Sequence, residues 1–174
     1  VMTYQLADGW SNVKFVRPAH RLLALHGSTI VPIQALGLAA GRSTLRHRFE
    51  STGAELSIAD ADAYATTLEQ QGALLPSFAA RRSAIERQLQ QQADAEGLVP
   101  IDDPALLDEV TALVERPNVL LCRFEKEFLQ VPQECLILTM KQNQKYFPLL
   151  DRSGKLTNRF LIVANIRPAD PSAV

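Results

Sequence analysis

The sequence is poor in the residues that build metal and redox centres. Its 174 residues include two cysteines, Cys122 and Cys135, three histidines, His20, His26 and His47, and one tryptophan. The cysteines form no CxxC pair, and no cysteine–histidine set has zinc-site spacing. Two thiols without a disulfide framework fit a reduced, intracellular protein, with both sulfurs expected to be buried as small hydrophobes. Long apolar runs are missing too. None approaches the roughly 18 residues of a membrane span, and no signal peptide precedes the first element, so a cytoplasmic protein with no membrane partner is expected. Nor is there an excess of either charge: 18 Lys and Arg face 19 Asp and Glu, for a net charge of −1. Any contact with nucleic acid must therefore come from a local basic patch. The Walker loop, GxGxxG and GxSxG are all absent.

What is present is an ordinary globular composition, 47% hydrophobic and 21% charged. The length suits one domain spanning residues 1–174. The chain opens mid-pattern at Val1 and closes on Arg167–Pro168–Ala169–Asp170–Pro171–Ser172, as an internal piece of a longer protein would.

Asn12–Val16 alternates like a half-buried strand ended by Arg17–Pro18, and His20–His26 reads as a more buried one. Gly27–Ser28 is a hairpin signal leading to Thr29–Ile33, where Pro32 predicts an edge or a bulge. Residues 36–53, punctuated by glycine and rich in arginine, read as a loop with a short extended piece. A helix is expected from Ser57 to about Gln71, capped by Ser57 or Asp60 and stopped at Gly72. The longest helix should span residues 77–96, with Phe78, Ile85, Leu89 and Ala93 as its core stripe. Asp102–Asp103–Pro104 starts another, reaching Glu115 and burying Leu106, Leu107, Val110, Leu113 and Val114. Strand Val119–Phe124 follows, then a helical loop at 125–129. A helix after Pro132 runs toward Lys145–Tyr146–Phe147–Pro148, with strands Tyr146–Leu150 and Phe160–Asn165 about the Asp151–Gly154 turn. Strands at both ends with three or four helices between them indicate an α+β fold with a mixed sheet.

Little of this looks like a reaction centre. His20 and His26 share a strand face, but without a third ligand they read as structural, and no metal site is assigned. Asp60, Asp62, Asp102, Asp103, Asp108 and Glu109 are explained by helix starts more economically than by acid–base chemistry. No catalytic residue is assigned. Two basic clusters remain. Arg42, Arg46, His47 and Arg48, with Ser43 and Thr44, suit phosphate contacts, because guanidinium binds phosphate bidentately and hydroxyls add donors. Lys141, Gln144, Lys145 and Tyr146 combine charge, an amide and an aromatic that suit an RNA strand. A solvated or salt-bridged loop is the competing reading of the first cluster, and core packing of Tyr146–Phe147 that of the second.

The order of motifs is more telling. Phe15–Val16–Arg17–Pro18, Leu23–Ala24–Leu25–His26–Gly27, Gly41–Arg42 with His47–Arg48–Phe49, and Leu107–Asp108–Glu109–Val110 through Val114–Glu115 and Pro117 come first. Phe128–Leu129–Gln130–Val131–Pro132–Gln133–Glu134, Thr139–Met140–Lys141, Gln144–Lys145–Tyr146–Phe147–Pro148, Gly154–Lys155–Leu156, Phe160 and Val163–Ala164–Asn165–Ile166 follow. Together they resemble the beta subunit of bacterial heterotetrameric glycyl-tRNA synthetase over nearly the whole chain. Arg21 and Arg116 depart from the family, where tryptophan is common at both positions.

The resemblance implies an internal segment of the subunit, similar to the editing-type domain of the phenylalanyl-tRNA synthetase beta subunit. An N-terminal part would precede it, and HD-type, linker and anticodon-binding parts would follow. It further implies a part of glycine–tRNA ligase that has no ligase activity alone and binds no cofactor. ATP and Mg would serve the whole enzyme, whose alpha subunit ligates glycine to tRNA(Gly) in a heterotetramer of two alpha and two beta subunits. The leading expectation is a non-catalytic tRNA-contacting and assembly domain, with both basic clusters facing one groove. Editing of mischarged tRNA is an alternative, which physics makes dispensable because a pocket fitted to glycine excludes every larger amino acid sterically. A pure scaffold is another, and it predicts that the basic clusters point apart or pair with acids.

Overall fold

Turn-forming residues interrupt every apolar run in the N-terminal part of the chain, and the strands there are accordingly short. In the computed structural model, which describes residues 2–15, 19–53 and 55–167, the chain divides into two compact units, residues 1–74 and 75–174. In the first unit β1 (Met2–Gln5) and β2 (Asn12–Phe15) form an antiparallel ribbon. Asp8 closes its turn by accepting the Trp10 and Ser11 N–H groups, both at 2.9 Å. Hydrogen bonds from the Ser11 side chain and these amides hold the Asp8 carboxyl below the usual carboxylate range. The Arg17–Pro18 strand end lies outside the described residues.

The strand expected over His20–His26 is divided into β3 (Leu22–Leu23) and β4 (Leu25–His26). Ala24 between them donates to Gly41 O at 3.3 Å and accepts from Val31 N at 3.0 Å, so the chain changes partners at that residue. His20 and His26 are both exposed, not part of a buried strand. Strand β4 pairs with β5 (Thr29–Ile30) across the expected Gly27–Ser28 turn, and exposed Pro32 follows outside any strand.

Residues 36–53 are more extended than the sequence suggests. Strands β6 (Gln34–Ala35) and β7 (Leu38–Gly41) form a hairpin whose turn residues, Leu36 and Gly37, have φ values of 54° and 76°. Positive φ at both positions is the two-residue turn that matches strand twist, and leucine at the first position disguises it. Strand β3 pairs parallel with β7, giving a three-stranded mixed sheet in the order β3-β7-β6. Beyond it β8 (Ser43–Leu45) pairs antiparallel with β9 (Glu55–Ser57).

The helix expected from Ser57 starts later, as α1 (Tyr64–Gln71), preceded by Ala63 with no side-chain cap. The reason is burial of period two: Leu56 and Ile58 are 2% and 0% exposed, while Glu55 and Ser57 face out. Gly72 ends the helix as expected, and a Cβ there would lie 2.7 Å from Leu68 O. Leu56, Ile58 and Leu68 form this unit's buried cluster, with Leu23, Leu25 and Leu74 packed against it.

In the second unit α2 (Phe78–Glu96) begins where Ser77 Oγ accepts the Ala80 N–H at 3.2 Å. It ends at Gly97, whose φ of 66° favours glycine. Ile85, Leu89 and Ala93 are buried as expected, but Phe78 is exposed beneath the Arg81 guanidinium. After β10 (Val99–Pro100), Asp103 caps α3 (Pro104–Leu113) by accepting from Leu106 N at 3.0 Å. Leu106, Leu107, Val110 and Val114 are buried, whereas Leu113, at the helix end, is exposed. Strand β11 (Asn118–Arg123), a 3₁₀ turn (Lys126–Gln130), α4 (Gln133–Thr139), β12 (Phe147–Leu150) and β13 (Leu156–Ala164) complete the unit.

Its four-stranded sheet is antiparallel, in the order β10-β12-β13-β11. Helices α2 and α3 supply Ile85, Leu89, Leu107 and Val110 to a core completed by Val119, Phe147, Leu149 and Leu161 from the sheet. Pro148 sits in an interior strand, where the register shifts between Pro148 and Leu150, a bulge that suits a residue without an N–H. Amide side chains help tie this unit together. Gln88 accepts from Val119 N at 3.0 Å, Gln133 from Leu156 N at 3.0 Å, and Asn165 from Glu115 N at 2.7 Å and Arg116 N at 3.0 Å. Neither cysteine is fully buried, against expectation: Cys122 is half-buried, enough to push its thiol up, and Cys135 is exposed on α4, a seven-residue helix that buries none of its side chains. Among the described residues the fold is α+β with four α-helices, the fold class expected.

Candidate nucleic-acid interface

The first basic cluster lies on and just after β8, and most of it is used to knit backbone. The Arg42 guanidinium donates to Ser28 O at 2.8 Å and Ala59 O at 3.3 Å. Arg46 donates to Glu55 O at 3.0 Å and to Gln71 O. The Arg46–Glu55 contact extends the β8–β9 pairing, and the other three contacts reach segments outside that ladder. A hydrogen bond with a charged partner is worth about 1.5–3 kcal/mol, more than a neutral one.

His47 is buried, at 2% exposure. Its backbone N–H donates to Gly72 O at 2.7 Å, and its Nδ1 accepts from Phe49 N at 3.3 Å and Glu50 N at 3.1 Å. Nδ1 is thus an acceptor and the ring proton sits on Nε2, a buried atom with no hydrogen-bond partner. Ser51 Oγ donates to His47 O at 2.7 Å, closing the turn from the other side. The turn presents two exposed side chains. The Arg48 guanidinium carbon lies 5.5 Å from the Phe49 ring centroid, and that ring meets the His47 ring edge-on, 6.4 Å between centroids. Phe49, 70% exposed, is the residue that sequence reasoning missed as a surface group. A large aromatic beside arginine in a polar turn was its only signal.

The second cluster follows α4, where the helix widens into a π-turn (Met140–Gln144). Lys145 ends it in the left-handed region, φ 59°, and both its N–H and that of Tyr146 return to Met140 O. This widening and reversal direct both lysines onto α3. Lys141 Nζ pairs with Asp103 Oδ2, and Lys145 Nζ with Glu109 Oε1 at 2.9 Å. The Lys141 ammonium first, and the Leu106 N–H second, hold the Asp103 carboxyl below its usual range. Asp108 of the same helix pairs with Arg82 at 2.6 Å.

Tyr146 stacks on Phe160, ring centroids 4.8 Å apart at 24°, and Phe160 stacks on Phe124 at 6.3 Å. The three rings line an almost wholly apolar cleft of about 240 Å³ with Phe128, Leu136 and Met140, and exposed Gln144 stands at its rim. Among the described residues no group of three or more His, Cys, Asp or Glu could hold a metal ion. No helix of the described residues is long and apolar enough to cross a membrane.

The structure therefore brings Arg42, Arg46, His47 and Arg48 together in the first unit, and Lys141, Gln144, Lys145 and Tyr146 together in the second. Comparison with known proteins supplies the class: an α+β component of an aminoacyl-tRNA synthetase. The chain belongs to the glycyl-tRNA synthetase beta subunit family, whose model matches residues 1–174. It is 67% identical over 174 residues to the glycine–tRNA ligase beta subunit of Leptothrix cholodnii, covering all of this chain and 24% of the relative. The glycine–tRNA ligase beta subunits of Methylobacillus flagellatus and Thiobacillus denitrificans are 66% and 65% identical, again over 174 residues and 25% of each relative. The chain thus spans about a quarter of the length of the relatives it matches.

Proposed function

We propose that this chain is a non-catalytic tRNA-contacting and assembly domain of a glycyl-tRNA synthetase beta subunit. In this reading it supports the ATP-dependent ligation of glycine to tRNA(Gly) by the alpha subunit, within a cytoplasmic heterotetramer of two alpha and two beta subunits. ATP and Mg act at the alpha subunit and not on this chain. The observation that carries the RNA contact is the fixed turn at His47, which holds exposed Arg48 in place while Arg42 and Arg46 support the backbone beneath it. RNA recognition needs cations presented in fixed register, and phosphate contacts supply that positioning.

A purely structural role has its own support in the second unit. Lys141 and Lys145 pair with carboxylates of α3, which is what a scaffold predicts for basic residues. The two readings separate in one experiment on the assembled enzyme. Affinity for tRNA(Gly) is titrated with salt for the wild type and for Arg48→Ala. Arg48 is the clean probe, because replacing Arg42 or Arg46 would also remove support for the fold. Loss of a phosphate contact weakens binding and reduces the salt slope by about one. Unchanged affinity and slope would leave the scaffold as the better account.

A further inference from the structure

Exposed aromatic rings beside arginine occur twice among the described residues, and the contrast between them is informative. Phe78 lies under Arg81, whose guanidinium donates to Thr111 O at 3.1 Å, Leu75 O at 2.5 Å and Pro76 O at 3.1 Å. That arginine is spent on the end of a helix and a connector, and the ring beneath it is a packing accessory. The Arg48–Phe49 pair differs. Its ring is 70% exposed, its guanidinium stands at the surface, and the turn that carries both is fixed from behind by a buried histidine.

The histidine makes the arrangement more than an exposed hydrophobe. Nδ1 of His47 accepts the N–H groups of both Phe49 and Glu50, so the backbone that carries the ring is held by the imidazole itself. The same ring buries an Nε2 that has no partner, a feature that native structures rarely tolerate without a reason. The fixed presentation of residues 48 and 49 is such a reason. A planar cation and an aromatic ring, ordered in advance, form a surface on which a flat heterocycle stacks at little further ordering cost.

We infer that Phe49, with Arg48 beside it, is a stacking platform for an unpaired nucleobase of a bound RNA strand, and that His47 is its positioning residue. The inference rests on the tRNA-contacting reading above and adds a recognition mode to it. Paired bases inside a helix keep their faces stacked on one another, so only a single-stranded or looped-out base can use the platform. Every base has a π-face, so the contact favours unpaired RNA without selecting its sequence.

The test uses the assembled enzyme with tRNA(Gly), a single-stranded oligoribonucleotide and a fully paired RNA duplex as probes. Phe49→Ala is expected to weaken tRNA and single-strand binding roughly ten- to a hundredfold, to leave the salt slope unchanged, and to spare the duplex. Phe49→Trp, which keeps an aromatic face at an exposed position, restores binding. If Arg48→Ala weakens tRNA binding and Phe49→Ala does not, the platform is wrong and the tRNA-contacting reading stands. If neither variant matters, both fail. An equal loss for duplex and single strand would overturn the unpaired-base assignment. Impaired subunit assembly with unchanged tRNA affinity of the assembled enzyme would show that Phe49 meets protein instead.

Discussion

Among the described residues the first unit buries three apolar side chains in its cluster, Leu56, Ile58 and Leu68, whereas the second buries eleven. Their cations differ in the same direction. Arg42 and Arg46 in the first unit donate to backbone carbonyls of distant segments, while Lys141 and Lys145 in the second reach carboxylates on a helix already fixed by its core. Short strands and a small core leave many loop carbonyls to satisfy and little apolar burial to hold the loops in place. Planar guanidinium groups serve that need, because one side chain can reach two carbonyls at once. A large core reduces the need: in the second unit Arg81 still reaches the carbonyls of Leu75, Pro76 and Thr111, while Lys141 and Lys145 add surface pairing. Basic residues of similar density in the sequence thus have different structural work.

The comparison breaks most visibly at the core of the second unit. Phe147 is 2% exposed in the interior strand β12, against Leu161 and the helices. Phe147→Ala should cost about 3–5 kcal/mol in denaturant unfolding. A loss below about 1 kcal/mol would mean that the apolar cluster does not dominate that unit. The corresponding attack on the first unit is Arg46→Ala, which removes both carbonyl contacts, to Glu55 and Gln71. The expected loss is about 1.5–3 kcal/mol. Amide hydrogen exchange should accelerate first around residues 43–57 and 68–72. Arg46→Lys should rescue little, since an ammonium cannot reproduce the fork. Full rescue by lysine would show that charge, not geometry, does the bridging.

Where local signals were strong, the sequence was readable. Ser77 and Gly97 bound α2, Asp103–Pro104 starts α3, and Gly27–Ser28 turns between β4 and β5, because each residue has a geometric role that its neighbours cannot take. The first unit was read less well. Glu55–Ile58 is too short to tell period two from a helix start, and Leu36 conceals a turn that glycine or asparagine would have announced. The site suffered from the same limit. Arginine spacing cannot reveal that Arg42 and Arg46 face carbonyls, because those partners lie 9 to 25 residues away. Nor can the sequence of α4 disclose the π-turn that directs Lys141 and Lys145 onto α3. Phe49 had no signal beyond its place in a polar, arginine-rich loop, and it stands in solvent.

Asp103 gives the smallest and most discriminating effect, because its two oxygens belong to different interactions. Oδ1 caps α3 at Leu106 N, and Oδ2 pairs with Lys141. Asp103→Ala removes both, and loss of the cap alone should cost about 1 kcal/mol. Asp103→Asn keeps a good cap and loses the charge, so its cost at neutral pH should be about 0.5 kcal/mol, the scale of a surface pair. The pH dependence follows from the lowered carboxyl. A group whose folded value lies below its unfolded one contributes fully above the unfolded value, near 3.9, and loses that contribution as pH falls through the folded value. The gap between wild type and Asp103→Asn should therefore be present at neutral pH and close in strong acid, where a protonated aspartic acid resembles asparagine. The gap to Asp103→Ala should narrow without vanishing, since a neutral carboxyl oxygen still accepts from Leu106. A wild-type–asparagine gap that persisted below both values would mean that Lys141 is not what holds the carboxyl down. The lysine would then be available for another partner, and the contrast between the two basic clusters would disappear.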